Sequence, residues 1–404
     1  MLLNSITVRW VILIAFLVIG ILGALLVHDS ETAAIERCEK VYTNEVAKID
    51  CWQEVIRGVF VSDGTQAAFD VFERIYREYD TFSNTGCHRH AHRVGDMAYY
   101  FDYLTHRDLD RTEFPPNATA CGYGFYHGFF EHLIQDNPDP AFVSLTCAYM
   151  DERLKATAPG MRQTCYHGSG HGFLLARADT LVDPREWTLR DFVDVPLAQC
   201  ESLPDASPFE ISECRQGIYN VIVDWMSDEE YGFTYDRESP FRICDSEAYE
   251  RQPDCYYEMA QKVDGLSNHD PAKAAAIAQT AKRKDMQSTI MTVAVSGMVQ
   301  HRPKEDQQQL LASCRTVPEE LLHACIVSLA GGLVEHGTSS GDFEHVFAFC
   351  EESGMTETEQ TICYEGLYSS ISRFVSEAEL QTACAKGQRP ELFCRFVAEA
   401  EAGT

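Results

Sequence analysis

The spacing of the cysteines constrains the fold of this chain more than any other feature. Sixteen cysteines occur among 404 residues, and fourteen of them form couples only 10 to 18 residues apart. Such separations fit a bridge between the two arms of a short helical hairpin, so we predict seven disulfides in an exported chain. The couples are Cys38 with Cys51, Cys147 with Cys165, Cys200 with Cys214, Cys244 with Cys255, Cys314 with Cys325, Cys350 with Cys363, and Cys384 with Cys394.

The couples belong to a tandem repeat. CGYGFYHGFFEH begins at Cys121, CYHGSGHGF at Cys165 and CRQGIYNVIVDW at Cys214, and several such segments share Cys-x-x-Gly before an apolar run. A copy without cysteine, IMTVAVSGMVQH, aligns with CIVSLAGGLVEH 35 residues later. About ten units follow one another at helix-pair spacing. We therefore predict an all-α fold of tandem helical-hairpin repeats, either an α-solenoid or a closed α-toroid, stapled by disulfides.

The remaining two cysteines, Cys87 and Cys121, both occupy repeat-cysteine positions. Two interpretations stay open, because they can bridge adjacent units or Cys87 can be a free thiol beside His88.

Glycines recur three and seven residues after the repeat cysteine, on one helix face, where they favour close approach of neighbouring helices.

The N-terminus carries an apolar run, VILIAFLVIGILGALLV, over residues 11–27. Seventeen apolar residues are long enough to span a bilayer, and the basic flank precedes them while the acidic flank follows. We predict a single-pass membrane protein in which residues 1–30 form a cytoplasmic stub and a transmembrane signal-anchor that contacts the lipid bilayer. A cleaved signal peptide is the alternative. Both export residues 31–404 as a periplasmic or extracellular repeat domain, with its His-rich part at 85–175.

Composition excludes one class of partner. Asp and Glu number 62 against 33 Lys and Arg, a net charge of −29. Because this excess repels phosphate backbones, nucleic acid is not an expected partner.

Histidines occupy one stripe of the repeat. Residues four apart on a helix lie one above another, and positions +2, +6 and +10 from the repeat cysteine carry imidazole, carboxylate or amide groups in three consecutive units. Two histidines in the unit at Cys87 are also four apart, although its glycine falls one place late. Paired histidines on a helix can hold a transition metal. The predicted ligands are His88, His92, His127, Glu131, His167 and His171, with His90, Asp96, Asn220 and Asp224 as second-shell or alternative ligands.

Imidazole with carboxylate, and without thiolate, favours a transition metal ion such as Fe, Cu, Zn or Mn. The prediction is a membrane-anchored extracytoplasmic helical-repeat protein with such a centre, acting as a metal-dependent oxidoreductase or hydrolase whose catalytic residues the sequence does not assign. Against it, Glu131 and His132 have repeat counterparts in Gln300 and His301, which favours a packing role. The alternative is therefore a non-enzymatic, disulfide-stapled scaffold that binds a protein or glycan partner.

Overall fold

A computed structural model describes residues 31–403, apart from 84–86, 182–187, 227–234, 301–306, 337–342, 353, 373–374 and 376. The described residues are helical or lie in turns, and they include no strand. Contacts between Cα atoms divide the chain into two compact units, Met1–Thr85 and Gly86–Thr404.

The first unit contains four described helices around a core of Trp52, Phe69, Phe72 and Phe82. Asn44 caps the second of these helices by accepting a hydrogen bond from the backbone N–H of Val46, which satisfies an otherwise orphaned donor. The helices are α1 (31–41), α2 (Glu45–Asp63), α3 (Thr65–Glu78) and α4 (Asp80–Ser83).

The second unit is a series of helical hairpins. A π-helix, Ala98–Tyr103, continues the first of its helices. The helices are α5 (Cys87–Met97), α6 (Leu104–His106), α7 (Gly124–Asp136), α8 (Pro140–Leu154), α9 (Met161–Ala178), α10 (Leu189–Glu201), α11 (Pro208–Trp225), α12 (Arg242–Asp245), α13 (Gln252–Met259), α14 (Gln261–Ser267), α15 (Pro271–Ala278), α16 (Gln287–Gln300), α17 (Gln307–Cys314), α18 (Glu319–His336), α19 (Glu344–Glu352), α20 (Glu357–Ile371), α21 (Glu377–Ala385) and α22 (Glu391–Gly403).

Helices at equivalent repeat positions pack on one another. The contacts run from α5 to α7, α7 to α9, α9 to α11, α11 to α13, α14 to α16, α16 to α18, α18 to α20 and α20 to α22. The predicted all-helical repeat is confirmed by this regular succession, in which each unit buries its face on the next. The choice between solenoid and toroid stays a prediction.

All sixteen cysteines form disulfides. The seven predicted couples are bridged, and each bridge joins the two helices of one hairpin. The open question about the other two is decided, because Cys87 and Cys121 are bonded to each other. Eight disulfides indicate an oxidising, extracytoplasmic environment.

Glycines set the distance between the helices. An alanine Cβ at Gly124 of α7 would lie 2.4 Å from the carbonyl oxygen of His88 on α5, and one at Gly217 of α11 would lie 2.0 Å from that of His167 on α9. A contact this short cannot be accommodated without moving a helix. The predicted packing role of the repeat glycines is thereby confirmed at these positions.

The predicted membrane anchor over residues 11–27 lies outside the described residues. Among the helices that the structure does describe, none combines the length and the apolar character that a bilayer crossing needs. The anchor therefore stays a prediction.

Candidate metal centre

Three consecutive repeat helices, α5, α7 and α9, bring the predicted ligands together. Helix α7 starts immediately after three left-handed residues, Cys121, Gly122 and Tyr123, with φ angles of 60°, 61° and 63°. The Tyr123 hydroxyl accepts a hydrogen bond from the backbone N–H of Gly160, just before α9, at 2.9 Å. This turn fixes the entry of α7 between its two neighbours.

The centre of the site is the carboxylate of Glu131 on α7. Its Oε2 atom lies 3.3 Å from Nε2 of His92 on α5 and 3.0 Å from Nδ1 of His171 on α9. One ligand atom from each of the three side chains lies within 4.8 Å of the others. Each helix thus contributes one side chain to a compact His–Glu–His set.

These separations suit a metal ion. Ligand atoms about 2.0–2.1 Å from one ion are about 2.9 Å apart at a right angle and about 3.4 Å apart at a tetrahedral angle. The contacts of Glu131 with His92 and His171, at 3.3 and 3.0 Å, fall in that interval. The three ligand atoms together span up to 4.8 Å, so the two imidazole rings have to move towards each other to close on one ion.

Asp96 lies behind His92. Its Oδ1 atom is 3.3 Å from Nδ1 of His92 and 3.5 Å from Nε2 of His132. The hydroxyl of Tyr100 is in turn 3.2 Å from Nδ1 of His132. A carboxylate on the far nitrogen of an imidazole fixes the ring orientation and increases its basicity as a ligand. Asp96 therefore lies where it can orient the His92 ring, and its role beside a metal stays a prediction.

The charges of the set balance without an ion. Burial alone would lower the pKa of His92, but contacts with Asp96 and Glu131 outweigh it and raise that pKa to about 10. Burial would raise the pKa of Glu131, yet His171 and His92 hold it well below its usual range. The protonated His92 therefore neutralises one carboxylate of the site, and a metal cation can take over that role.

Three further imidazoles adjoin this set. Nδ1 of His127 is 3.0 Å from Nε2 of His88, and the His127 ring stacks on that of His167 with centroids 4.8 Å apart. The His167 ring lies 5.1 Å from that of His171. Burial and then the neighbouring imidazoles push the pKa of His127 and of His167 well below the usual 6.5. These two rings are neutral at physiological pH, so each keeps a lone pair that can bind a metal ion.

The other predicted side chains lie elsewhere. His90 is buried and is not part of the His–Glu–His set. Asn220 donates a hydrogen bond to Glu258 at 2.7 Å, and Asp224 lies 3.9 Å from Nζ of Lys262. These contacts tie the two α11 side chains to α13 and α14.

Sequence reasoning missed two neighbours of the site. His132 was interpreted as a repeat feature, although it follows Gly128 by four residues and so shares the face that packs on α5. Glu213 of α11 approaches His167, with Oε2 3.9 Å from Nδ1. The repeat pattern does not single out Glu213, because this residue precedes the repeat cysteine and lies outside the predicted stripe.

No protein-family model, curated protein or solved structure matches this chain.

Proposed function

We propose that this protein binds a transition metal ion through His92, Glu131 and His171 and uses it in metal-dependent catalysis. One observation carries the proposal. A carboxylate from one helix lies between imidazoles from two others, at 3.3 and 3.0 Å, and each of these two separations fits two ligands of one ion.

The donor set narrows the chemistry. Two imidazoles with one carboxylate serve hydrolytic zinc sites and non-haem iron sites, whereas Ca²⁺ and Mg²⁺ take mainly oxygen ligands. Three protein ligands leave positions for water, oxygen or substrate. Such an ion activates a bound water for hydrolysis or supports oxidation.

A second candidate function is a non-catalytic scaffold for a protein or glycan partner. It is favoured by two exposed aromatic side chains on the π-helix, Tyr100 and Phe101, each 51% exposed. In this case the contacts around Glu131 are buried ion pairs and hydrogen bonds that hold three helices in register.

The variant Glu131→Gln distinguishes the metal centre from the scaffold. We expect the purified wild-type domain, loaded with zinc and dialysed, to retain bound zinc, and the variant to retain one equivalent less per chain, because the amide removes the anionic ligand. Elemental analysis by mass spectrometry measures this difference. Glu365→Gln is a matched control, since Glu365 contacts His323 at 3.0 Å in an exposed pair. Zinc-free wild-type protein that folds normally would support the scaffold.

The membrane anchor is proposed with the topology predicted above. The apolar run over residues 11–27 and its basic flank support it. We expect the full chain to stay in the membrane fraction after alkaline extraction, which releases peripheral proteins. Recovery of the intact chain in the supernatant would contradict an anchor.

A further inference from the structure

A second group of imidazoles lies directly beside the His–Glu–His set. Nε2 of His88 and Nδ1 of His127 are 3.0 Å apart, and the His167 ring stacks on that of His127. These three side chains come from α5, α7 and α9, the same helices that supply the first set. The proposed function assigns no metal ion to these three side chains.

The tautomer of His88 is fixed by its surroundings. Its Nδ1 atom lies 3.0 Å from the backbone carbonyl oxygen of Cys121. Because a carbonyl oxygen only accepts hydrogen bonds, this nitrogen carries the proton, and Nε2 presents a lone pair. Histidines that bind metals commonly donate their other N–H to a backbone carbonyl in this way.

The carbonyl that selects this tautomer is itself held in place. Cys121 is bonded to Cys87, the residue next to His88, and its backbone is left-handed at φ 60°. The disulfide thus ties the acceptor to the first turn of the helix that carries the donor. This bridge differs from the other seven, which join the two helices of one hairpin.

An independent observation comes from His171. Its Nδ1 atom contacts Glu131, but its Nε2 atom is buried without a hydrogen-bond partner. A buried polar atom without a partner is costly. With Nδ1 on the first ion, Nε2 carries the ring proton and can donate it to an oxygen ligand of a neighbouring ion. The His171 ring lies 5.1 Å from His167 and 5.9 Å from His127.

We propose that His88 and His127 hold a second metal ion next to the one at Glu131, with His167 joining them once its ring turns out of the stack on His127, so that the centre is dinuclear. The proposal rests on the proposed function. The 3.0 Å separation of the His88 and His127 nitrogens fits two ligands of one ion. Binding displaces the proton between them, and His127 then carries its proton on Nε2. An all-imidazole set selects zinc or copper over manganese and magnesium.

The stoichiometry of zinc tests the second position. The full chain, purified in detergent, is loaded with zinc alone, dialysed and analysed for metal per chain, with the fold of each variant checked by circular dichroism. We expect two ions in the wild type, one in His88→Ala, one in Glu131→Gln and none in the double variant. His167→Ala is a second probe and is also expected to retain one ion. His323→Ala, at an exposed histidine, should retain two.

The outcomes distinguish this proposal from the one on which it rests. One ion in both the wild type and His88→Ala overturns the second position and leaves the first intact. Loss of both ions in Glu131→Gln also overturns an independent second position. A wild type without metal overturns both proposals.

Discussion

Gly128→Ala is expected to destabilise the protein by about 2 kcal/mol and to abolish metal binding at Glu131. A Cβ at this position would lie 2.2 Å from the carbonyl oxygen of His92, 2.6 Å from Oδ1 of Asp96 and 2.9 Å from Nδ1 of His92. Since the first of these atoms is backbone, α5 has to move away from α7. That movement increases the distance between His92 and Glu131, so the two side chains can no longer bind one ion.

The repeat supplies a matched control for this substitution. Gly297 occupies the same position of its own unit, seven residues after the repeat start, but a Cβ there would meet its nearest atom, Cβ of Asp264, at an ordinary 3.6 Å. Gly297→Ala should therefore stabilise its helix by about 0.5–1 kcal/mol. Thermal unfolding and zinc affinity are measured for both variants. Equal effects of the two substitutions on stability would contradict the close-approach argument.

Glu258→Gln is expected to stabilise the protein by about 3 kcal/mol at pH 7. Glu258 is 1% exposed, and one of its carboxylate oxygens is buried without a partner. Burial raises its pKa to about 8, against a hydrogen bond from Asn220 and with repulsion from Glu213, Asp224 and Asp254. Folding at neutral pH therefore requires this carboxyl group to take up a proton, a requirement that glutamine removes.

The direction of the pH dependence follows from this shift. The folded-state pKa of Glu258 lies above the ordinary value of 4.5. The stability that the protonated group contributes is therefore complete at pH values below 4.5. It is lost as the pH rises to about 8. The wild type and Glu258→Gln should unfold at similar temperatures at pH 4 and diverge towards pH 8. Glu365→Gln, on an exposed carboxylate, is the control. A constant difference between wild type and Glu258→Gln across this range would contradict a protonated Glu258.

Local sequence patterns predicted only part of the proposed site. The i and i+4 spacing predicted which face of each helix carries the histidines, because that spacing follows from helix geometry alone. It did not predict that Glu131 contacts His92 and His171 together, or that Asp96 lies between His92 and His132. Those contacts depend on how closely α5 and α9 approach α7, which is set by Gly95, Gly128 and Gly172 against backbone atoms of neighbouring helices.

The sequence by itself determined the helical repeat and seven of the disulfides, because both follow from interactions between residues close together in the chain. Only the tertiary structure decided that Cys87 pairs with Cys121 and which side chains meet at Glu131. The physical reason is that these contacts join different repeat units. Their geometry is fixed by the packing of one helix against the next, which the spacing of residues within a helix does not specify.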